Sequence, residues 1–191
     1  MKAIIISGMP AAGKTTVAWI LSGKLGLPVI GGGEILKEMA IDRGYKPGGE
    51  SWWDTPDGIK FLKERETNPN FDKEVDSRLA EKIRKGNIVV TSYTAPWISK
   101  DGFKVWLDAG EEKRAERMAK RDGFDIKQTM HTTKIRDDEN YKLYKKLYNM
   151  EFGKDKSPFD MVINTDNINA GQVAELIIKR LKELNMLDAN K

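Results

Sequence analysis

The chain has 191 residues, 39% hydrophobic and 32% charged, enough to bury one well-packed domain beneath a densely charged surface. Lys and Arg number 33 against 29 Asp and Glu, and an excess of +4 this diffuse favours neither nucleic acid nor a small anionic ligand. The absence of cysteine excludes a disulfide framework and a thiolate metal site, and no apolar run reaches the length of a membrane span. The N-terminus enters its first strand directly, without a cleavable leader, so a cytoplasmic location is expected.

Ala3 to Ser7 is a short β-branched run that reads as a buried strand. It breaks into Gly8-Met9-Pro10-Ala11-Ala12-Gly13-Lys14-Thr15-Thr16, which spells GxxxxGK[ST], and resumes as an amphipathic helix over about Lys14–Lys24 that stops at Gly26. Glycine lets such a loop curl, and the curled amides with the helix N-terminus present N–H groups to phosphate oxygens. Lys14 can reach the β- and γ-phosphates, and the Thr15 hydroxyl can ligate Mg2+. Strand, loop and helix in this order read as the phosphate cradle of a nucleoside triphosphate.

Pro28-Val29-Ile30 is a second short strand, followed by Gly31-Gly32-Gly33 and a helix over Glu34–Arg43. The three glycines have two readings, a place where backbone meets ligand or a flexible connector. Tyr45–Asp54 is turn-rich and carries Trp52-Trp53, which either stack on a base or simply pack. Thr55-Pro56-Asp57 reads as a capped helix start with Ile59 and Leu62 inward. Val75, Leu79 and Ile83 mark a helix over Asp72–Lys85, so 34–85 is a helical excursion between strands. Strands follow at Ile88–Thr91 and Phe103–Asp108, then a basic helix over Glu111–Asp122. A polar segment, Gly123–Thr133, leads to a helix over about Lys134–Asn149. Met161–Asn164 is the last strand and Ala170–Leu184 the last helix, with Val173, Leu176, Ile177, Leu181 and Leu184 inward.

Five apolar strands separated by helices predict a three-layer α/β/α fold with a five-stranded, mostly parallel sheet. Ligands of such sheets sit at the C-terminal strand edge. The phosphate loop, Gly31–Gly33, Ser92–Thr94 and Asn164–Asn167 all fall there. His131, the only histidine, has no carboxylate spaced to orient it and reads as an exposed bystander. By spacing alone, Arg114, Arg117 and Arg121 form a solvated face balanced by Glu111, Glu112 and Glu116. Asp108, at a strand end, is a weak candidate magnesium partner.

In order, the segments ISGMPAAGKTTVA (6–18), GGEILKEMA (32–40), RAERMAKRDG (114–123) and VINTDN (162–167) resemble the P-loop nucleoside monophosphate kinases, most closely the short archaeal-type cytidylate kinases. The resemblance covers almost the full length and implies a single kinase domain. Its core would be 1–33, 86–114 and 141–185, its helical acceptor-binding segment 34–85 and its lid about 115–140. It implies ATP and Mg2+ as cofactors, small-molecule nucleotides as partners, no nucleic acid or membrane, and a monomer. Arg117 would stack on the donor base, Arg121 would reach its phosphates, and Arg136 would neutralise the transferring group alongside Lys14. Asn164 to Ile168, with Asp166 and Asn167 binding ATP, would pass beneath the donor adenine through backbone contacts. Gly32, Gly33, Lys37, Arg78, Tyr93 and Trp97 fall on the acceptor side. Asp76 and Arg78 are either acceptor contacts or an intrahelical charged face. No general base is expected, because a bound acceptor phosphate is itself a nucleophile.

Four acceptor-side positions depart from the family pattern. Lys37 and Tyr93 stand where relatives usually carry arginine, and Asn140 and Leu143 replace an acidic and a basic position. Lysine does not reproduce an arginine–phosphate fork. Phosphoryl transfer from ATP to CMP or dCMP is the leading expectation. The alternatives are another acceptor (AMP, UMP or a small metabolite) or a non-catalytic ATP-binding regulator. A nucleic-acid-binding role has only the basic charge balance behind it.

Overall fold

The computed structural model describes residues 1–48, 55–68 and 70–187, which leaves Trp52 and Trp53 outside the described residues. The strands are β1 (Ile4–Gly8), β2 (Val29–Gly31), β3 (Val89–Thr91), β4 (Phe103–Asp108) and β5 (Met161–Asn164). The helices are α1 (Lys14–Leu25), α2 (Gly32–Asp42), α3 (Pro56–Thr67), α4 (Phe71–Lys85), α5 (Ala95–Ile98), α6 (Glu111–Asp122), α7 (Ile126–Tyr148) and α8 (Ala170–Glu183). The sheet runs β2-β3-β1-β4-β5, and each adjacent pair is parallel, as the unbroken apolar strands predict.

Period-two alternation sorts the strands between two cores. Ile4 and Ile6 pack with Val17, Leu21, Val173, Ile177 and Leu181 beneath α1 and α8. Ile5 and Val90 point the other way and pack with Ile35, Met39, Phe61, Phe71, Leu79 and Ile83 of α2, α3 and α4. Each such buried side chain contributes about 1.5–3 kcal/mol of transfer free energy, so both layers hold the sheet. The connection leaving β1 runs to β2 on one side and that leaving β3 runs to β4 on the other. A crevice therefore opens at the C-terminal ends of these neighbours, the usual ligand position of a doubly wound sheet.

The structure departs from expectation at particular elements. Phe61, not Ile59, is the buried residue of α3; Ile59 is 46% exposed, and the Leu62 side chain lies outside the described residues. In α8 Ala174 is buried and Leu176 exposed. The four-residue α5 was not anticipated. The largest difference is α7, which begins at Ile126 rather than about Lys134 and runs unbroken for 23 residues. Asp125 caps it by accepting from the Lys127 and Gln128 amides, so most of the expected polar segment is helix. Only Gly123 to Asp125 separates α6 from α7, and the two helices pack together as a hairpin.

Candidate active site

The loop between β1 and α1 is shaped by glycine at two points. Gly8 has φ 151°, and a Cβ there would lie 2.5 Å from the Leu107 carbonyl oxygen of neighbouring β4. Gly13 takes φ 97° at the N-cap of α1, where the left-handed region favours glycine. The curled backbone brings two carbonyls to Lys14, whose Nζ donates to Gly8 O at 2.9 Å and Met9 O at 2.8 Å. The ammonium also lies 4.6 Å from the Tyr93 ring centroid. Burial, then the nearby Arg114 and Arg136 charges, lower the Lys14 pKa from 10.5 to about 7, against a smaller upward pull from Asp137.

Lys14, Thr15 and Tyr93 line two adjoining cavities. The first, about 620 Å³, is bounded by Pro10, Ala11, Gly13, Thr16, Met118 and the arginines 117, 121 and 136. The structure thus gathers the loop and all three expected lid arginines around one space. Arg117 is anchored there, donating to Thr165 Oγ1 at 3.1 Å and to the Thr165 carbonyl. Arg121 is exposed and paired with Asp122 at 2.7 Å, and Arg136 reaches Met118 Sδ at 3.8 Å. Beside Ala12, Thr16 and Arg117, a smaller cavity of about 240 Å³ is lined by Thr165, Ile168 and Asn169. The loop after β5 therefore approaches this space through those residues. Asp166 instead accepts from the Gly110 amide at 2.9 Å, and Asn167 is exposed.

The second cavity, about 420 Å³, lies between the starts of α2 and α4, the end of β3 and the last turns of α7. Gly32, Gly33 and Tyr93 line it, as do Asp76 and Leu143. The glycine run is neither connector nor loop. Gly31 ends β2 and Gly32 opens α2, with Glu34 Oε2 accepting from the Gly31 amide at 2.9 Å. Three acceptor-side expectations fall elsewhere. Lys37 is half-buried on α2 without lining the cavity. Arg78 is drawn into ion pairs with Asp42 and with Glu74, the latter at 2.8 Å. Trp97 packs behind the site, edge-on to Phe159 at 5.1 Å and near Trp106 and Phe152.

Thr94, from the Ser92–Thr94 edge expected to meet ligand, lines the cavity, together with Asp72, Tyr144, Leu147 and Tyr148, which sequence reasoning missed. Asp76 accepts from Thr94 Oγ1 at 2.7 Å and from the Tyr148 phenol, so one carboxylate joins α4, the β3 edge and α7. Burial first, then this hydrogen bond, raise the Tyr148 pKa and keep the phenol protonated. Tyr141, Tyr144 and Tyr148 recur at helical spacing within the expected Lys134–Asn149 helix, the signal the sequence held for them. Among the described residues, Lys14 is the one cationic side chain lining this cavity, while Asp72 and Asp76 are its acids.

No cluster of three His, Cys, Asp or Glu residues suited to a metal occurs among the described residues. Thr15 lines both cavities, and its hydroxyl would be the side-chain oxygen to hold a magnesium ion at their junction. Asp108 is engaged elsewhere, accepting from Trp106 Nε1 at 3.0 Å. His131 is exposed on α7. No described helix is long and apolar enough to cross a membrane.

The family model of cytidylate kinase-like proteins matches residues 3–167. A cytidylate kinase of Pyrobaculum aerophilum is 33% identical over 178 residues, covering 92% of this chain and 90% of its own. One from Archaeoglobus fulgidus is 32% identical over 181 residues, covering 94% of each chain. Among solved structures, an uncharacterized protein from Eubacterium ventriosum superposes with a TM-score of 0.69 at 20% identity, over 95% of this chain and 98% of that one. A shikimate kinase from Acinetobacter baumannii, in complex with shikimate, gives 0.55 at 18% identity, over 96% of this chain and 94% of that one. These structures share the fold; the sequence relationship shows more, and the chain belongs to the cytidylate kinase-like family.

Proposed function

We propose that this protein transfers the γ-phosphoryl group of ATP, as its magnesium complex, to CMP or dCMP. The observation that carries the reading is the pair of cavities meeting at Lys14, Thr15 and Tyr93. In-line transfer needs a donor and an acceptor on opposite sides of one charge-neutralising centre, and little covalent chemistry from the protein. The larger cavity takes the triphosphate. Loop amides and Lys14 cradle its phosphates, Thr15 holds the metal, and Arg117, Arg121 and Arg136 offset charge on the moving group. The smaller space beside Thr165 and Ile168 receives the donor base, with Arg117 against it.

In this reading α2, α3 and α4 are the acceptor segment, and the α6–α7 hairpin is the lid. The acceptor phosphate faces Lys14 and the N–H groups that open α2 at Gly32 and Gly33, in place of the arginines common in relatives. The names of the relatives supply CMP. ADP release with MgATP over a panel of CMP, dCMP, UMP and AMP is the test. CMP or dCMP should turn over fastest, and Lys14→Ala should lower kcat by ~100-fold or more. Turnover with AMP alone would overturn the acceptor assignment.

A second reading keeps the donor and changes the acceptor to a small metabolite. The scarcity of cations in the acceptor cavity, set against Asp72 and Asp76, favours it. Silence across the monophosphate panel, with ADP released once a small hydroxyl metabolite is supplied, would select this reading; silence with every acceptor would select a non-catalytic ATP-binding regulator.

A further inference from the structure

Arg114 is the most buried charged side chain of α6, 5% exposed, on a helix otherwise rich in solvated charge. It spends its guanidinium on three elements. Nε donates to the Ala109 carbonyl at 3.1 Å, at the start of its own helix. Nη1 donates to the Pro10 carbonyl of the phosphate loop at 3.4 Å. Nη1 and Nη2 together fork onto the Asp137 carboxylate of α7 at 3.0 and 2.6 Å. A buried ion pair of this kind adds little net stability, because desolvating both groups offsets their attraction. Its directionality is another matter: a planar fork fixes the orientation of two backbones in a way that apolar packing or an ammonium does not.

What it orients is the donor cavity. Asp137 follows Arg136, so pinning it sets where Arg136 leaves α7 to line the same space as Lys14. Pro10 lies two residues after Gly8, in the loop whose Gly8 and Met9 carbonyls hold the Lys14 ammonium. We propose that Arg114 and Asp137 are a positioning pair that locks the α6–α7 hairpin to the phosphate loop, so that Arg136 and Lys14 meet one phosphate from opposite sides. The pair touches neither substrate. It rests only on the donor half of the function proposed above and is independent of what the acceptor is.

The test is calorimetric titration of MgATP into the full-length protein, with wild type, Arg114→Lys, Asp137→Asn, Arg136→Ala, and Arg114→Lys and Asp137→Asn each combined with Arg136→Ala. Arg114→Lys keeps the charge without the fork and should weaken MgATP about tenfold in the otherwise wild-type protein. Because the pair acts through the placement of Arg136, the same substitution should weaken MgATP about twofold or less once Arg136 is alanine, a non-additivity that general loosening of the fold would not produce. Wild-type affinity in Arg114→Lys, or an equal loss in both backgrounds, would overturn the proposal. Asp137→Asn decides the matter by the same cycle if Arg114→Lys does not fold. Since no acceptor is present, these outcomes are separate from the monophosphate panel.

Discussion

Replacing Lys14 with methionine should make the nucleotide-free protein more stable while ending nucleotide binding. The ammonium is enclosed by the loop carbonyls and the Tyr93 ring, and burial with two arginines holds its pKa near 7. In the unfolded chain the same lysine titrates at its ordinary value of 10.5. Below pH 7 both states are protonated, and the folded state bears the whole cost of charging the site. As pH rises from 7 to 10.5 the folded state has shed its proton and the unfolded state has not, so stability increases and the cost disappears. The gap sets a ceiling of about 5 kcal/mol at 1.36 kcal/mol per pH unit. Lys14 is partly open to the cavities, and solvent screening brings the expectation to about 2 kcal/mol. For a chain of this size that is roughly 4–8 °C in Tm. Calorimetric melting of wild type and Lys14→Met at pH 6, 8 and 10 measures it. The variant should melt higher at pH 6 and converge with wild type by pH 10, and MgATP should raise Tm in wild type alone. Equal melting at pH 6, or a gap that ignores pH, refutes the account of a charge held at a cost.

The other expectations concern single contacts. Gly8→Ala should cost several kcal/mol and abolish MgATP binding, because its Cβ would meet the Leu107 carbonyl oxygen at 2.5 Å; chemical denaturation reads the first effect and calorimetry the second. Phe61→Ala should cost about 3–5 kcal/mol in urea unfolding, and the exposed Ile59→Ala about 0.5 kcal/mol or less. Tyr148→Phe removes the phenol held by Asp76 and should change the KM of the acceptor several-fold while leaving the Kd of MgATP unchanged. Leu143→Arg adds a guanidinium to the acceptor cavity and should lower the KM for a nucleoside monophosphate about tenfold; a higher KM would mean that no phosphate sits near that position.

The fold was legible wherever the signal is local. The β1–α1 motif, the boundaries of α6 and the order of five strands follow from runs of a few residues each. The start of α7 was not, and its threonines explain why. Thr129 and Thr133 are poor helix formers in isolation, and their cluster in a polar stretch suggests loop. Folded, they turn inward and donate to the carbonyls four residues back, Asp125 O and Thr129 O, both at 2.8 Å. Contact with α6 overrides propensity there. Asp125, the observed N-cap, sits inside the stretch read as a polar segment. In α3 a two-residue difference of register separates Ile59 from Phe61, and what decides between them is the space beside Phe71, at 5.3 Å, which only the tertiary structure provides.

The two halves of the site differed in legibility for a related reason. A phosphate cradle is made largely of backbone, so its requirements are written as glycines and one lysine at fixed spacing. The acceptor cavity is assembled by side chains from α2, α4, the β3 edge and α7, and no spacing records that Asp76, Thr94 and Tyr148 meet. The resemblance marked Lys37 and Tyr93 as departures from its pattern and could not say which side chains line the cavity. The answer has a thermodynamic consequence. With Lys14 as the cation common to both cavities, an acceptor anion and the donor triphosphate draw on one ammonium. The first anion to bind raises the Lys14 pKa and meets the cost of protonating it, so the second encounters a site already charged. Below pH 7 that advantage vanishes, since Lys14 is charged before either arrives. What remains there is the mutual repulsion of two phosphates. Coupling between the two ligands should therefore become more favourable as pH rises from 6 to 8. The acceptor's KM extrapolated to zero MgATP, divided by its value at saturating MgATP, reports it. A ratio that falls over this range would mean the acceptor's charge is met by another group.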